Sequence, residues 1–154
     1  MARSVVGAIQ ELGSSGIAAT ATIAGLQQVT RWLMKDAPRM DVLGERLIEE
    51  GFRRIGRKPP NSTRALSWAF GNVGSDTLLF ALVAAGSPSR PFVRGALVGG
   101  LTGLAAVFLP PIFGFSSKYT ARTLRTGLAT VGMYVAAGLA AAGATRLAQE
   151  SEAR

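Results

Sequence analysis

The stretch "FVRGALVGGLTGLAAVFLPPIF" (92–113) decides how the chain is read. It carries one charge, Arg94, at its start, and three glycines in strict register, Gly95, Gly99 and Gly103. At about 1.5 Å per residue its length matches roughly 30 Å of hydrocarbon. A helix on the surface of a soluble bundle would carry charge along one whole face. Small residues four apart let helix backbones approach closely, which matters most in lipid, where no hydrophobic effect drives helices together.

Three further blocks have the same character, at 14–34, 65–85 and 124–145. The chain of 154 residues is 48% hydrophobic and still carries 17 Lys and Arg, because its charges are segregated between the blocks. The expectation is an all-α integral membrane four-helix bundle, a single membrane domain over 1–154. The alternative is a soluble bundle rich in Gly and Ala. Arg3 supplies a short basic start, but Glu11 precedes the first apolar block and no clear cleavage pattern follows, so 14–34 reads as a mature helix. That block, "SSGIAATATIAGLQQVTRWLM", is the least apolar of the four and should pack inside the bundle.

Between the first and second blocks, Val42, Leu43, Leu47, Ile48, Phe52 and Ile55 recur at helical spacing. Arg46/Glu50, Glu49/Arg53 and Glu50/Arg54 stand four apart with opposite charge. This predicts an amphipathic helix over about 41–56, lying in the membrane interface and ended by "GRKPP". A docking helix for a partner is the alternative.

The net charge of +8 raises nucleic acid as a partner, but no binding motif or aromatic platform accompanies it. Topology accounts for it better. Four spans put Arg3, Arg90, Arg94, Arg146 and Arg154 on one side, and the remaining 12 of the 17 basic residues on the other. Basic residues mark the cytoplasmic face, so both termini are expected outside, in a bacterial inner membrane. Trp32, Trp68 and Tyr119 fall at the same proposed boundary and form the expected aromatic belt.

Helix packing is assigned to Gly95, Gly99 and Gly103, and to a second row at Gly132, Ala136, Ala140 and Ala144. Whether the packing is internal or between protomers stays open. A polar layer runs through the apolar blocks. Asp76 lies 11 residues from Ala65, Thr102 11 from Phe113, Tyr134 10 from Leu124 and Thr22 12 from Met34. All are therefore roughly 15–18 Å deep. Asn72 and Gln27 sit level one turn shallower. A carboxylate at that depth should face the bundle and bond within the layer.

The chain has no Cys and no His. That leaves no thiolate or imidazole ligands and no Ser/His or Cys/His set. Paired carboxylates, a Walker lysine and a dinucleotide fingerprint are absent too, so no catalytic, cofactor or metal site is assigned and the expectation is a non-enzyme. Lipid is the one expected bound component.

The order of pieces carries a resemblance. "GIAATATIAGLQQVTRW" is followed by an amphipathic "P…LGERLIEEGFRRIG" segment, then "LSWAFGNVGSDTLLF", "RGALVGGLTGLAAVFLPPIFG" and a last small-residue helix. Over about 15–147 this resembles the YagU-like group of small bacterial inner-membrane proteins. Members often carry a His near the start of the second helix, where this chain has Ser67. The resemblance implies a multi-span membrane protein and supplies no activity. Two functions fit the residues. One is a structural or accessory subunit that packs against other membrane proteins or copies of itself. The other is a small oligomeric transporter or channel using the Asp76 layer.

Overall fold

The computed structural model describes residues 5–59, 61–62, 65, 73–85 and 89–152. Among these the chain is all helical, with no strand. Five α-helices follow one another: α1 (Val5–Leu33), α2 (Met40–Arg54), α3 (Ser75–Ala84), α4 (Pro91–Ile112) and α5 (Leu124–Glu152). A short 3₁₀ turn, Ser117–Tyr119, precedes α5.

Among the described residues two helices, over Pro91–Ile112 and Leu124–Ser151, are long and apolar enough to cross a membrane, with mean hydropathies of 1.8 and 1.5. α4 follows the expected 92–113 closely. α5 runs past the expected end at 145, and α1 begins at Val5 rather than at 14, taking in the polar lead and Glu11. α1 has the length of a span without the apolar composition. Of the expected span 65–85, residues 66–72 lie outside the described residues, and α3 itself has 10 residues.

α5 is the axis of the fold. α4 and α1 pack along it, and α3 lies mainly against α1. Ala19 and Ile23 of α1, Phe80 and Val83 of α3, and Tyr134, Ala137, Ala141 and Ala142 of α5 form the core, capped by Met40 and Leu43 of α2. Phe80 and Tyr134 stack with ring centroids 6.3 Å apart. Most other buried side chains are small, so the helices sit close together. Such proximity holds van der Waals contact over long stretches without large side chains.

α4 and α5 run antiparallel, with the glycines between them. A methyl group on Gly103 would come within 2.7 Å of Val131 Cα. One on Gly99 would come within 2.8 Å of Val135 Cα, and one on Gly95 within 3.1 Å of Ala142 Cβ. Gly138 of α5 opposes Gly95 backbone to backbone. The α4 row is thus consumed inside the chain.

The large apolar side chains point the other way. Leu97 (60%), Leu101 (68%) and Phe108 (62%) of α4 are exposed, as are Leu124 and Leu128 of α5, Leu78 and Leu82 of α3, and Ile9 and Ile17 of α1. Ser15, Thr126, Thr130 and Thr145 are fully buried. Their hydroxyls bond to backbone carbonyls: Ser15 donates to Phe80 at 2.8 Å, Thr126 to Asp36 at 2.8 Å and Thr130 to Thr120 at 2.7 Å.

The ends of the bundle are tied together. The Arg39 amide donates to the Tyr119 carbonyl at 2.7 Å, and Arg122 reaches Asp36 at 3.8 Å. With the Thr126–Asp36 bond, these place the segment after α1 and the segment before α5 at one end. Pro110 and Pro111 lie inside the last turn of α4, where neither can donate an amide hydrogen, and the helix stops at Ile112. Gly114 (φ 82°) then turns the chain, with Phe115 N bonding to Pro110 O at 2.8 Å. α2 ends the same way at Gly56 (φ 69°), with Arg57 N on Phe52 O at 2.9 Å. The ion pairs on α2 partly differ from the expected spacing. Arg46 meets Glu49 at 3.0 Å, three residues on, and Glu50 takes both Arg53 and Arg54. Rotamers on a helix reach i+3 as readily as i+4, so spacing alone does not choose between them.

Candidate functional site

Asp76 opens the answer to why a carboxylate stands in an apolar stretch. Val73 and Gly74 form a wide π-type turn, and Asp76 lies in the first regular turn of α3 that follows. The Asp76 side chain is buried at 8% exposure. No ion pair to it exists among the described residues.

Across from Asp76 is α1. Together α1 and the start of α3 line a cleft of about 310 Å³ whose polar groups are Thr20, Gln27, Asp76 and Thr77. Its apolar floor is Ile17, Ala21, Ile23, Ala24 and Val73. The two helices meet tightly just beyond it. A methyl on Gly16 would sit 2.7 Å from Thr77 Cγ2, and the Thr20 and Thr77 hydroxyls share a 3.1 Å hydrogen bond. Thr20 also bonds back to Gly16 O at 2.9 Å. The cleft is large enough for several ordered waters or a small ligand, and it offers a carboxylate, an amide and two hydroxyls.

The expected polar layer is brought together in part. Asp76 and Gln27 share the cleft, and Asn72 lies outside the described residues. Tyr134 is buried on the core side, stacked on Phe80. Among the described residues Asp76 makes no hydrogen bond to either expected donor. Thr102 instead donates to Val98 O of its own helix at 2.7 Å, the ordinary resort of a half-buried threonine in a helix.

Of the packing rows, Gly95, Gly99 and Gly103 are buried against α5. The second row is displaced. Gly132 is exposed with open space beside it, and Ala136, Ala140 and Ala144 are half-buried. The α5 surface that meets the α4 glycines is Val131, Tyr134, Val135, Gly138 and Ala142. A helix dense in alanine has several small-residue rows, and the sequence does not say which one faces the glycines.

Trp32 is 79% exposed at the end of α1. Tyr119 is half-buried at the same end, packed on the core with Lys118 Nζ 5.0 Å from its ring, and Trp68 lies outside the described residues. Sequence reading missed Ser15 and Gly16, which fasten α1 to α3, and Glu11, which is buried within α1. A small-residue signal was present at Ser15-Gly16-x-x-Ala19, but it fell in the most polar block.

No family model matches the chain, and neither a curated protein nor a solved structure matches it.

Proposed function

We propose that the protein is a small integral membrane protein of four spans that acts as a structural or accessory subunit, without catalysis. The observation that carries the membrane reading is an inversion of burial. In α4, the most apolar long helix, only 17% of the apolar window is buried, and in α5 39%. The core helix of a soluble protein would be mostly covered. Here most of the Leu side chains of α3, α4 and α5 lie on the perimeter, while buried Thr, Ser, Ala and Gly fill much of the interior around Phe80, Val83 and Tyr134. That distribution suits a hydrocarbon solvent. The spans are α1, the expected block 65–85 that includes α3, α4 and α5, with α2 in the interface and both termini on the non-cytoplasmic side of a bacterial inner membrane. The YagU-like resemblance belongs to the same proposal.

The accessory role is supported by the outward surface of α1. Ile17, Ala21, Ala24, Gly25 and Gln28 are exposed on one side of it, beside the Asp76 cleft. A stripe of small residues and an amide suits a neighbouring helix better than lipid tails. With the α4 glycines used internally, this surface is where a second copy or another membrane protein would pack. Native mass spectrometry after mild detergent extraction tests the role. Dimers or a co-purifying protein, lost on Gly25→Leu, are expected. A monomer without a partner sinks the accessory reading.

The second reading, a small transporter or channel, is favoured by the cleft itself, whose carboxylate lies among hydroxyls and an amide. Ion or proton flux in proteoliposomes separates the two readings. Flux equal to that of empty liposomes across pH and voltage excludes transport.

A further inference from the structure

A second, larger cleft of about 880 Å³ opens at the end of the bundle where α2 and α4 terminate. Both walls are helix ends turned by left-handed glycines, Gly56 and Gly114, so two loops face each other across it. One loop brings Arg57 and Lys58. The other brings Phe115, with Phe113 and Tyr119 at its flanks.

The charges within it do not balance. Glu49 is engaged by Arg46, and the single Glu50 carboxylate by both Arg53 and Arg54. Arg57 and Lys58 are exposed and have no ion pair among the described residues. The turns at Gly56 and Gly114 occupy carbonyls at the ends of α2 and α4, which would otherwise attract these cations. The surplus is positive and faces outward. Directly beside it, Ile112 (73%) and Phe113 (61%) expose apolar surface that continues along α4.

We infer that this cleft holds the headgroup of an anionic phospholipid, with its phosphate on Arg57 and Lys58 and its acyl chains along Ile112, Phe113 and the outer face of α4. The inference rests on the membrane reading above, which places α2 at the depth of the headgroups. A free phosphate would meet the same cations but would have no use for the apolar face. The amphipathic α2, lying in the interface, presents the site to one leaflet. Basic residues near a membrane surface attract anionic lipid, so losing two should weaken retention roughly thirtyfold.

The test begins by asking whether alkaline carbonate extracts the protein from membranes. Extraction overturns the membrane reading and this inference with it. If the protein stays in the membrane, native mass spectrometry is run on protein purified from mixed phosphatidylglycerol and phosphatidylcholine nanodiscs. The expected result is selective retention of phosphatidylglycerol by the wild type, about thirtyfold weaker in Arg57→Gln/Lys58→Gln. Arg90→Gln at the other end should retain it as the wild type does. A thermal shift should be given by phosphatidylglycerol and not by inorganic phosphate. Equal retention of both lipids, or undiminished retention by the double variant, overturns the headgroup site alone. So does an equal shift with inorganic phosphate.

Discussion

Gly99 of α4 lies against the backbone of Tyr134 in α5, so close that a single methyl group at Gly99 would come within 2.8 Å of Val135 Cα. The contact is within one chain. Its consequence is that the glycine row governs the fold of the monomer before it governs any assembly. Gly99→Ala is expected to destabilise by about 1–3 kcal/mol, the usual cost of overpacking a close contact, and Gly99→Leu to prevent folding. Gly132 has open space around it in mid-helix, so Gly132→Ala should not destabilise and should stabilise by up to about 1 kcal/mol. Thermal unfolding in detergent reads both. Equal effects at the two positions would contradict the observed helix faces.

The pairing of α1 with α3 rests on hydroxyls. Ser15 Oγ donates to the Phe80 carbonyl at 2.8 Å from a fully buried position. Interhelical hydrogen bonds in membranes average about 0.6 kcal/mol and reach about 1.7. Ser15→Ala should cost an amount in that range. Ser15→Leu should cost several times more, because the position is fully buried against the backbone of α3 and a larger side chain must push the helices apart. If unfolding of the Ser15→Leu variant matched that of the alanine variant, the helices would have to be further apart than they stand here.

These contacts show how much of the fold could be read from the sequence. The apolar blocks gave the positions of α4 and of most of α5, because few charges interrupt them. The amphipathic spacing gave α2 to within two residues, Met40–Arg54 against 41–56. The ends of α1 and α5 were harder, since polar residues continue a helix past the point where hydropathy falls. The site was legible in part. Depth counting from the helix ends put Asp76 level with Gln27 within about a turn, and the two share a cleft. Depth says nothing of rotation, however. That is why Thr102 bonds within its own helix, and why the α4 glycines meet Tyr134 and Gly138 of α5 and not the row at Gly132, Ala136, Ala140 and Ala144.

Asp76→Asn separates structure from transport. The amide keeps the size of the carboxylate and its capacity for hydrogen bonds inside the cleft, and it cannot ionise. Under the accessory reading the variant folds, keeps its partners and changes stability by less than about 1 kcal/mol. Asp76→Leu should be tolerated less well, because it replaces the polar atoms with methyl groups beside Thr77 and Thr20. Detergent unfolding and native mass spectrometry supply the readouts. A well-folded Asp76→Asn variant that abolishes a proton or ion flux given by the wild type would overturn the structural role and make Asp76 the transport site.

The two ends of the bundle provide a test of topology. α4 has 22 residues, or about 33 Å of helix, and separates the end holding α2 and the 3₁₀ turn from the end holding the last turns of α5. The Arg39–Tyr119 and Thr126–Asp36 bonds fix the segments after α1 and before α5 at one of these ends. Ser116 is exposed at that end and Ser151 at the other. The chain has no cysteine, so a single substitution gives a single label. With the basic loops in the cytoplasm, a membrane-impermeant maleimide applied to intact cells should label Ser151→Cys. Ser116→Cys should react only after the membrane is opened. The opposite pattern would keep the bundle and reverse its orientation. Labelling of both positions from the same side would mean that α4 and α5 do not cross the bilayer between them, and the four-span reading would fall.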